Sequence, residues 1–386
     1  MSNKKFKIAF IGGAKNSAVG YAHFCACRMD NYFEIVAGCF SRDKNISEET
    51  GLIYGVSPER IYTDWRKMLI AEKNKIDAIT VITPTPLHFE VVKEALKAGI
   101  PVICEKSLAM NPKEVKEIIE IQKRTNGFLA VTYNYTGYPI IRELRRLISK
   151  GKIGKILHFQ AQMPQEGFIR LNKNGEKPIP QKWRLEDKTI PTIYLDLCSH
   201  LHEIIFYLIN EKPVSVIADQ SSDGWFENII DNVSCLSRYT NNIQGQFWFS
   251  KSAIGHRNGL SISIFGTKGS VSWSQMNPEF AEISYIDGTK QILDRASNEI
   301  LEADKLRYTR FKAGHPAGFI EAFANVYNDI YNALNEYKNT NQWKSSEIFG
   351  ADLALEGMLF LEAMVKSSQS KNWQKVETNE FEFIEV

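Results

Sequence analysis

Residues 8–20 read IAFIGGAKNSAVG, an apolar run that passes directly into a glycine-rich turn. In a doubly wound α/β domain, the turn after the first strand offers backbone N–H groups and a helix N-terminus to a pyrophosphate. Gly12 and Gly13 suit the tight turn, and Ala14 stands where the second motif glycine is expected. Gly20 comes late because the loop is longer than G-x-G-x-x-G. Taken alone, a glycine-rich turn is often only a turn; its place straight after the first strand makes it a dinucleotide signal.

Working outward, KIAFIG, FEIVAGCF, IDAITVIT, PVICEK and FLAVTY alternate with amphipathic segments such as 89–98 and 113–125. Short Val- and Ile-rich runs separated by helices predict a parallel sheet with right-handed crossovers, a Rossmann domain over residues 1–135. After a helix at 139–149 closed by Gly151, strands follow one another: KILHFQAQM, PVSVIAD, NVSCLSRY, IQGQFWFS, LSISIFG, GSVSWS and AEISYI. This rhythm predicts an α+β domain over 136–386 with a large, mainly antiparallel open sheet. Helices are expected near 192–208, 316–337 and 347–366, and the proline-punctuated stretch 164–190 is a long loop able to cover a site.

A chain of 386 residues exceeds what one core usually supports, in keeping with two domains. Hydrophobic residues at 44% and charged residues at 24% are ordinary globular usage, and a net charge of +2 gives no footprint for nucleic acid or an anionic membrane. The six cysteines lack C-x-x-C spacing and read as reduced core residues. With neither a membrane-length apolar run nor a signal peptide in the sequence, a cytoplasmic enzyme acting on a small molecule is expected.

The second strand ends in Ser41-Arg42, chemistry suited to a 2′-phosphate, with Asp43 one step beyond to take a 2′-hydroxyl. The choice between NAD and NADP therefore stays open, with a lean to NADP. Thr83 and Pro84 end an inner strand and line the cofactor side; His88 either joins them or caps the next helix. Glu105-Lys106 ends another buried strand at its carboxyl end, where open α/β sheets place ligands. An ammonium there is placed to hydrogen-bond a reacting hydroxyl, although a lysine at a strand end is more often solvated. In YLDLCSHLHEI, Asp196 and His200 stand four apart, one helical turn, so one helix face carries both. His200 is then a candidate base oriented by the carboxylate; a surface pair, or a zinc site that adds His202, is the alternative.

In this order the motifs resemble the glucose-fructose oxidoreductase, inositol dehydrogenase and rhizopine-catabolism (Gfo/Idh/MocA) family over nearly the whole chain: the glycine turn, TPTPLH, EKS for the family's E-K-P, and DLCSH for D-x-x-x-H. YNYTGYP at 133–139, Trp183-Arg184, GHRNGL at 255–260 and GHPAGFIEAF at 314–323 resemble the branch that includes levoglucosan dehydrogenase. The resemblance implies Lys106, Asp196 and His200 as catalytic; no metal is expected, since His200 and His202 diverge on a helix and no third ligand cluster is evident in the sequence. It implies cofactor contacts at Gly12, Gly13, Ala14, Ser41, Arg42, Thr83, Pro84, His88, Glu105 and Lys106. Tyr135, Arg184, His256 and His315 become candidates for contact with a polyhydroxylated substrate, and the open sheet implies a homodimer or homotetramer. Two positions depart from the pattern: Ser107 replaces the proline whose peptide bond is often cis, and Cys198 replaces a small residue. The implied activity is NAD(P)-dependent oxidation of a secondary hydroxyl of a sugar, cyclitol or anhydrosugar. An NAD-dependent glycosidase working through transient oxidation, or a non-catalytic sugar sensor, remains the alternative.

Overall fold

Strand β1 (Phe6–Gly12) has five of its seven side chains fully buried, as a central parallel strand covered on both faces requires. The computed structural model describes residues 4–377. In chain order there follow α1 (Ala18–Met29), β2 (Phe33–Cys39), α2 (Lys44–Tyr54), α3 (Trp65–Glu72), β3 (Ala78–Ile82), α4 (His88–Lys97), β4 (Val102–Glu105), α5 (Pro112–Thr125) and β5 (Leu129–Thr132). The five strands form a sheet in the order β2-β1-β3-β4-β5, every pair parallel. This is the doubly wound arrangement that the strand spacing predicted.

Helix boundaries follow local chemistry. Asp43 caps α2 by accepting from the Ile46 amide, and Gly55 ends that helix at φ +79°. Asn111 caps α5, Pro112 opens it, and Asn126 closes it in the left-handed region.

The second unit, residues 138–318 with 356–377, opens with α6 (Pro139–Ser149) and β6 (Ile156–Pro164). A π-helical turn at Tyr194–Cys198 leads into α7 (Ser199–Ile209), every residue of which is buried. Then come β7 (Pro213–Ser221), β8 (Asn232–Tyr239), β9 (Gln244–Ser250), β10 (Ser261–Gly266), β11 (Gly269–Ser274), β12 (Ala281–Tyr285) and β13 (Lys290–Leu293). With β14 (Gln374–Lys375) they make a nine-stranded sheet in the order β13-β12-β11-β10-β6-β9-β8-β7-β14. All pairs are antiparallel except β6 with β9. The seven expected strands are present; β13 and β14 were not anticipated, being four and two residues long without a sustained alternation. Along β8, Val233, Cys235, Ser237 and Tyr239 turn inward while Ser234, Leu236 and Arg238 face outward.

Residues 319–355 return to the first unit, so the second domain expected over 136–386 is interrupted there. Helix α8 (Phe319–Thr340) places Phe323, Tyr327 and Tyr331 in one core with Phe6, Phe10 and Phe33. Each such aromatic contributes about 1.5–3 kcal/mol by leaving water. Helix α9 (Ala351–Ser370) crosses from the first unit to the second at residues 355–356. Among the described residues no helix is long and apolar enough to cross a membrane.

Candidate functional site

In the first unit the glycine turn forms a close-walled cradle. Gly12 and Gly13 hold φ at +84° and +73°, a region other L residues rarely adopt. A Cβ on Gly12 would stand 2.5 Å from the Ile82 carbonyl oxygen, and one on Gly20 would stand 2.5 Å from the Gly13 Cα. The turn therefore lies directly on the end of β3 and the start of α1, and glycine at these points lets the backbone approach. Ser17 caps α1, and the Tyr54 hydroxyl donates to the Gly13 carbonyl at 3.1 Å. These residues fit a pyrophosphate cradled by backbone and helix N-terminus.

At the tip of β2 the Asp43 amide donates to Ser41 Oγ at 3.1 Å, and the Asp43 carboxylate is engaged in capping α2. Arg42 is exposed beside them. Thr83 and Pro84 follow β3, and a short 3-10 turn over 85–87 leads to α4. His88 is the first residue of α4 and makes no cap; its ring bridges two carbonyls, Nδ1 2.8 Å from Ser107 O and Nε2 2.7 Å from Thr83 O. Burial pushes its imidazole below the ordinary value, with the two carbonyl contacts opposing. His88 thereby ties the turn after β3 to the peptide that follows Lys106. The Lys106–Ser107 bond is cis.

The Glu105 carboxylate turns inward from the end of β4. It meets His23 Nε2 at 3.1 Å and accepts from Thr132 Oγ1 at 2.5 Å, while His23 Nδ1 contacts the Tyr327 hydroxyl at 2.6 Å. Burial pushes this carboxyl up, but the hydrogen bonding and charge of His23, with Lys106 and Thr132, hold it below the usual carboxylate range. His23 and Tyr327 went unnoticed in the sequence, where each reads as one polar letter on an apolar helix face. Tyr135 is buried with its ring edge-on to Phe319, 6.1 Å between centroids.

In the second unit, Asp196 sits within the π turn, a rare element often found at functional positions. Its Oδ2 receives Lys251 Nζ at 2.5 Å and also the Arg184 guanidinium. Arg184 rises from a 3-10 turn in the long loop, stacked over Trp183 at 4.4 Å, its carbonyl held by the Thr192 hydroxyl. Expected to meet a substrate, it has its guanidinium on Asp196. Lys251 follows β9 and was not anticipated at all. His200 lies four residues beyond Asp196, buried in the first turn of α7.

His202 faces another way. Its Nε2 stands 3.6 Å from Glu356, with Gly357 and Phe360 of α9 alongside, so it does not share a face with His200. No cluster of three metal-ligating side chains occurs among the described residues. Cys198 also faces α9, its Sγ 4.0 Å from Met364. His256 is exposed and packs edge-on to Trp248 on the outward side of β9, whereas Tyr194, beside Asp196, packs on the inward-facing Phe249. His315 is exposed too; its ring rests on Phe311 and its carbonyl accepts from Arg295. The structure thus gathers Arg184, Lys251 and Asp196, with His200 next along the helix, and gives His256 and His315 other neighbours.

Two family models match the chain: "Oxidoreductase family, NAD-binding Rossmann fold" over residues 6–133 and "GFO/IDH/MocA C-terminal domain" over residues 141–272. An uncharacterised oxidoreductase of Bacillus subtilis, YfiI, is 30% identical over 96% of this chain and 97% of its own length. Levoglucosan dehydrogenase of Pseudarthrobacter phenanthrenivorans is 24% identical over 59% of this chain and 62% of its own. Among solved structures, an inositol dehydrogenase homologue of Azotobacter vinelandii, complexed with NADH and myo-inositol, superposes with a TM-score of 0.87 at 26% identity. That match covers 96% of this chain and 98% of the other. The cradle at the end of β1 and the parallel sheet of the first unit agree with the first model and the nine-stranded sheet of the second unit with the other, and the chain belongs to the Gfo/Idh/MocA oxidoreductase family, whose N-terminal domain is an NAD-binding Rossmann fold.

Proposed function

We propose that this chain moves hydride between a nicotinamide dinucleotide and a secondary hydroxyl of a sugar, cyclitol or anhydrosugar, with Lys106, Asp196 and His200 as its catalytic residues. One observation carries the reading: the glycine cradle after β1 and Lys106 after β4 stand at the same carboxyl edge of one parallel sheet, with β3 between them. That edge is where open α/β sheets bind ligands. The bound dinucleotide supplies the hydride acceptor. Lys106 donates a hydrogen bond to the reacting hydroxyl and stabilises alkoxide character as its proton leaves. His200 takes the proton, a step that positioned bases accelerate by about 10²–10⁴. Asp196 stays ionised and favours the charged form of the imidazole.

The substrate class rests on the inositol dehydrogenase homologue and levoglucosan dehydrogenase named above, which are relatives and not this protein. The β2 tip supports acceptance of NADP: Asp43 is engaged in its cap, and Arg42 beside it is exposed, a guanidinium suited to a 2′-phosphate. Outward rows of uncharged Gln160, Gln246, Ser234, Ser263 and Ser272 on the wide sheet support a homodimer or homotetramer.

The test is reduction of NAD and NADP by the purified protein with myo-inositol, levoglucosan and simple glucosides, followed by absorbance of the reduced nicotinamide. Reduction with at least one compound is expected. Absence of nucleotide binding, with no reduction on any of them, would sink the reading. Release of an aglycone without net nucleotide reduction would replace it with the glycosidase reading.

A further inference from the structure

We infer that Lys251 is a positioning residue for this reaction, holding the Asp196 carboxylate ionised and fixed in place; the inference rests on the dehydrogenase reading above. Three observations within the second unit lead to it.

First, the Lys251 side chain is 5% exposed and its ammonium lies 2.5 Å from Asp196 Oδ2. Burying an ammonium is costly unless a charge and hydrogen bonds compensate, so such a lysine is retained for its partner. Second, its backbone is fastened on both sides: the Lys251 amide donates to the Asp231 carbonyl at 2.7 Å, and its carbonyl accepts from Phe168 at 2.8 Å. The ammonium also rests over the Phe168 ring at 4.8 Å. Its place is therefore set by the end of β9. Third, the other cation on the same oxygen, Arg184, belongs to the long 165–190 loop and its side chain is 27% exposed. The two cations differ in kind: Lys251 is built into the sheet, whereas Arg184 is delivered by a loop.

Two positive charges on one carboxylate oxygen strongly favour its ionised form. Among the charged groups bearing on Asp196 within the second unit are Lys251 from the end of β9, Arg184 from the loop, and His200 on its own helix. Asp187 and Asp231, the carboxylates of the adjoining segments, are engaged by backbone amides: Thr192 and Ile230 donate to Asp187, Asp223 and Gly224 to Asp231. An Asp196 so held cannot compete with substrate for a proton, and its negative charge stays available when His200 becomes an imidazolium. Loss of Lys251 removes the buried one of these two cations and leaves the partly exposed loop arginine.

The experiment compares wild type, Lys251→Met and Lys251→Arg in the full chain, with circular dichroism confirming the fold. Turnover is read with NAD and NADP on myo-inositol and levoglucosan. The Asp196 carboxyl is titrated by NMR in ¹³C-aspartate-labelled protein, its resonance assigned with Asp196→Asn. Lys251→Met is expected to lose tenfold or more in kcat with little change in KM, to titrate Asp196 about one to three pH units higher, and to be largely restored in Lys251→Arg. A folded Lys251→Met protein that keeps its kcat, or whose Asp196 carboxyl titrates as in wild type, overturns the assignment. A wild type that turns over neither compound counts against the dehydrogenase reading alone, and the carboxyl titration then decides whether Lys251 holds Asp196.

Discussion

Glu356→Gln should stabilise the protein at alkaline pH and leave it nearly unchanged at acid pH. Glu356 on α9 is mostly buried, its side chain 12% exposed, with its Oε1 3.6 Å from His202 Nε2, beyond hydrogen-bond range, and neither that oxygen nor either His202 ring nitrogen has a hydrogen-bond partner among the described residues. Burial pushes the Glu356 carboxyl from its ordinary 4.5 up to about 7, with Lys212 opposing. Burial likewise pushes the His202 imidazole from 6.5 down to about 4. Because the folded state binds the Glu356 proton more tightly than the unfolded chain does, this group costs nothing below pH 4.5. Stability is then lost as pH rises through 7. At about 1.4 kcal/mol per pH unit the full loss is roughly 3 kcal/mol. Glutamine keeps the shape and cannot ionise, so its advantage over wild type should grow from under about 1 kcal/mol at pH 5 to about 1–3 kcal/mol at pH 8, the lower figure at each pH allowing for relaxation around the charge. At 2–4 °C per kcal/mol for a unit of this size, Tm at pH 8 should rise by about 2–12 °C. Thermal and urea unfolding of both proteins at pH 5 and pH 8 provides the measurement. An advantage that is constant with pH, or that shrinks towards pH 8, refutes the burial argument. His202 has the opposite sign: its contribution is present above pH 6.5 and fades as pH falls towards 4, so between about pH 4.5 and 6.5 it offsets the Glu356 loss, and only Glu356→Gln exposes the carboxylate's share.

His200→Ala and Lys106→Met should each lower kcat by about 10²–10⁴ while NADH titration by tryptophan fluorescence shows nearly unchanged affinity; lost binding would mean that they serve the fold or the cofactor. Gly20→Ala puts a Cβ 2.5 Å from the Gly13 Cα, so the cradle must open and NADH affinity should fall tenfold or more in the same titration. Arg42→Ala should raise KM for NADP about 10–100-fold, as loss of a charged hydrogen bond implies, and leave KM for NAD within about twofold. Glu143 Oε2 accepts from the amides of Leu301, Glu302 and Ala303 at 3.1, 2.6 and 3.0 Å. Glu143→Ala orphans these donors and should cost about 2–4 kcal/mol in urea unfolding; a loss below about 1 kcal/mol would show that water replaces the carboxylate.

Which parts of this protein could be read from its sequence depends on the range over which each feature is encoded. The strands of the first unit are written locally, since a parallel strand buried on both faces reads as a nearly continuous apolar run, and β1, β3 and β4 are such runs with one polar residue each. The glycines of the turn were legible for a similar reason: a positive φ and a wall at 2.5 Å leave no other residue a comfortable fit. Asp196 and His200 were singled out because four-residue spacing is itself a statement about an α-helical face, whereas the structure puts Asp196 in a π turn and His200 in the first turn of α7. The remainder is set by contacts that no window of sequence contains. His88 spans carbonyls five and nineteen residues away, His23 reaches a tyrosine 304 residues on, and Lys251 meets an aspartate 55 residues earlier. Arg184 illustrates the difference most sharply. The resemblance implied a substrate contact for it; in the structure the partly buried guanidinium lies on Asp196, whose one oxygen has room for both cations. Pairing of this kind is decided by which charges the fold leaves together out of water, so a lysine at the end of β9, unremarkable as a letter, carries as much information about the site as the motif residue it binds.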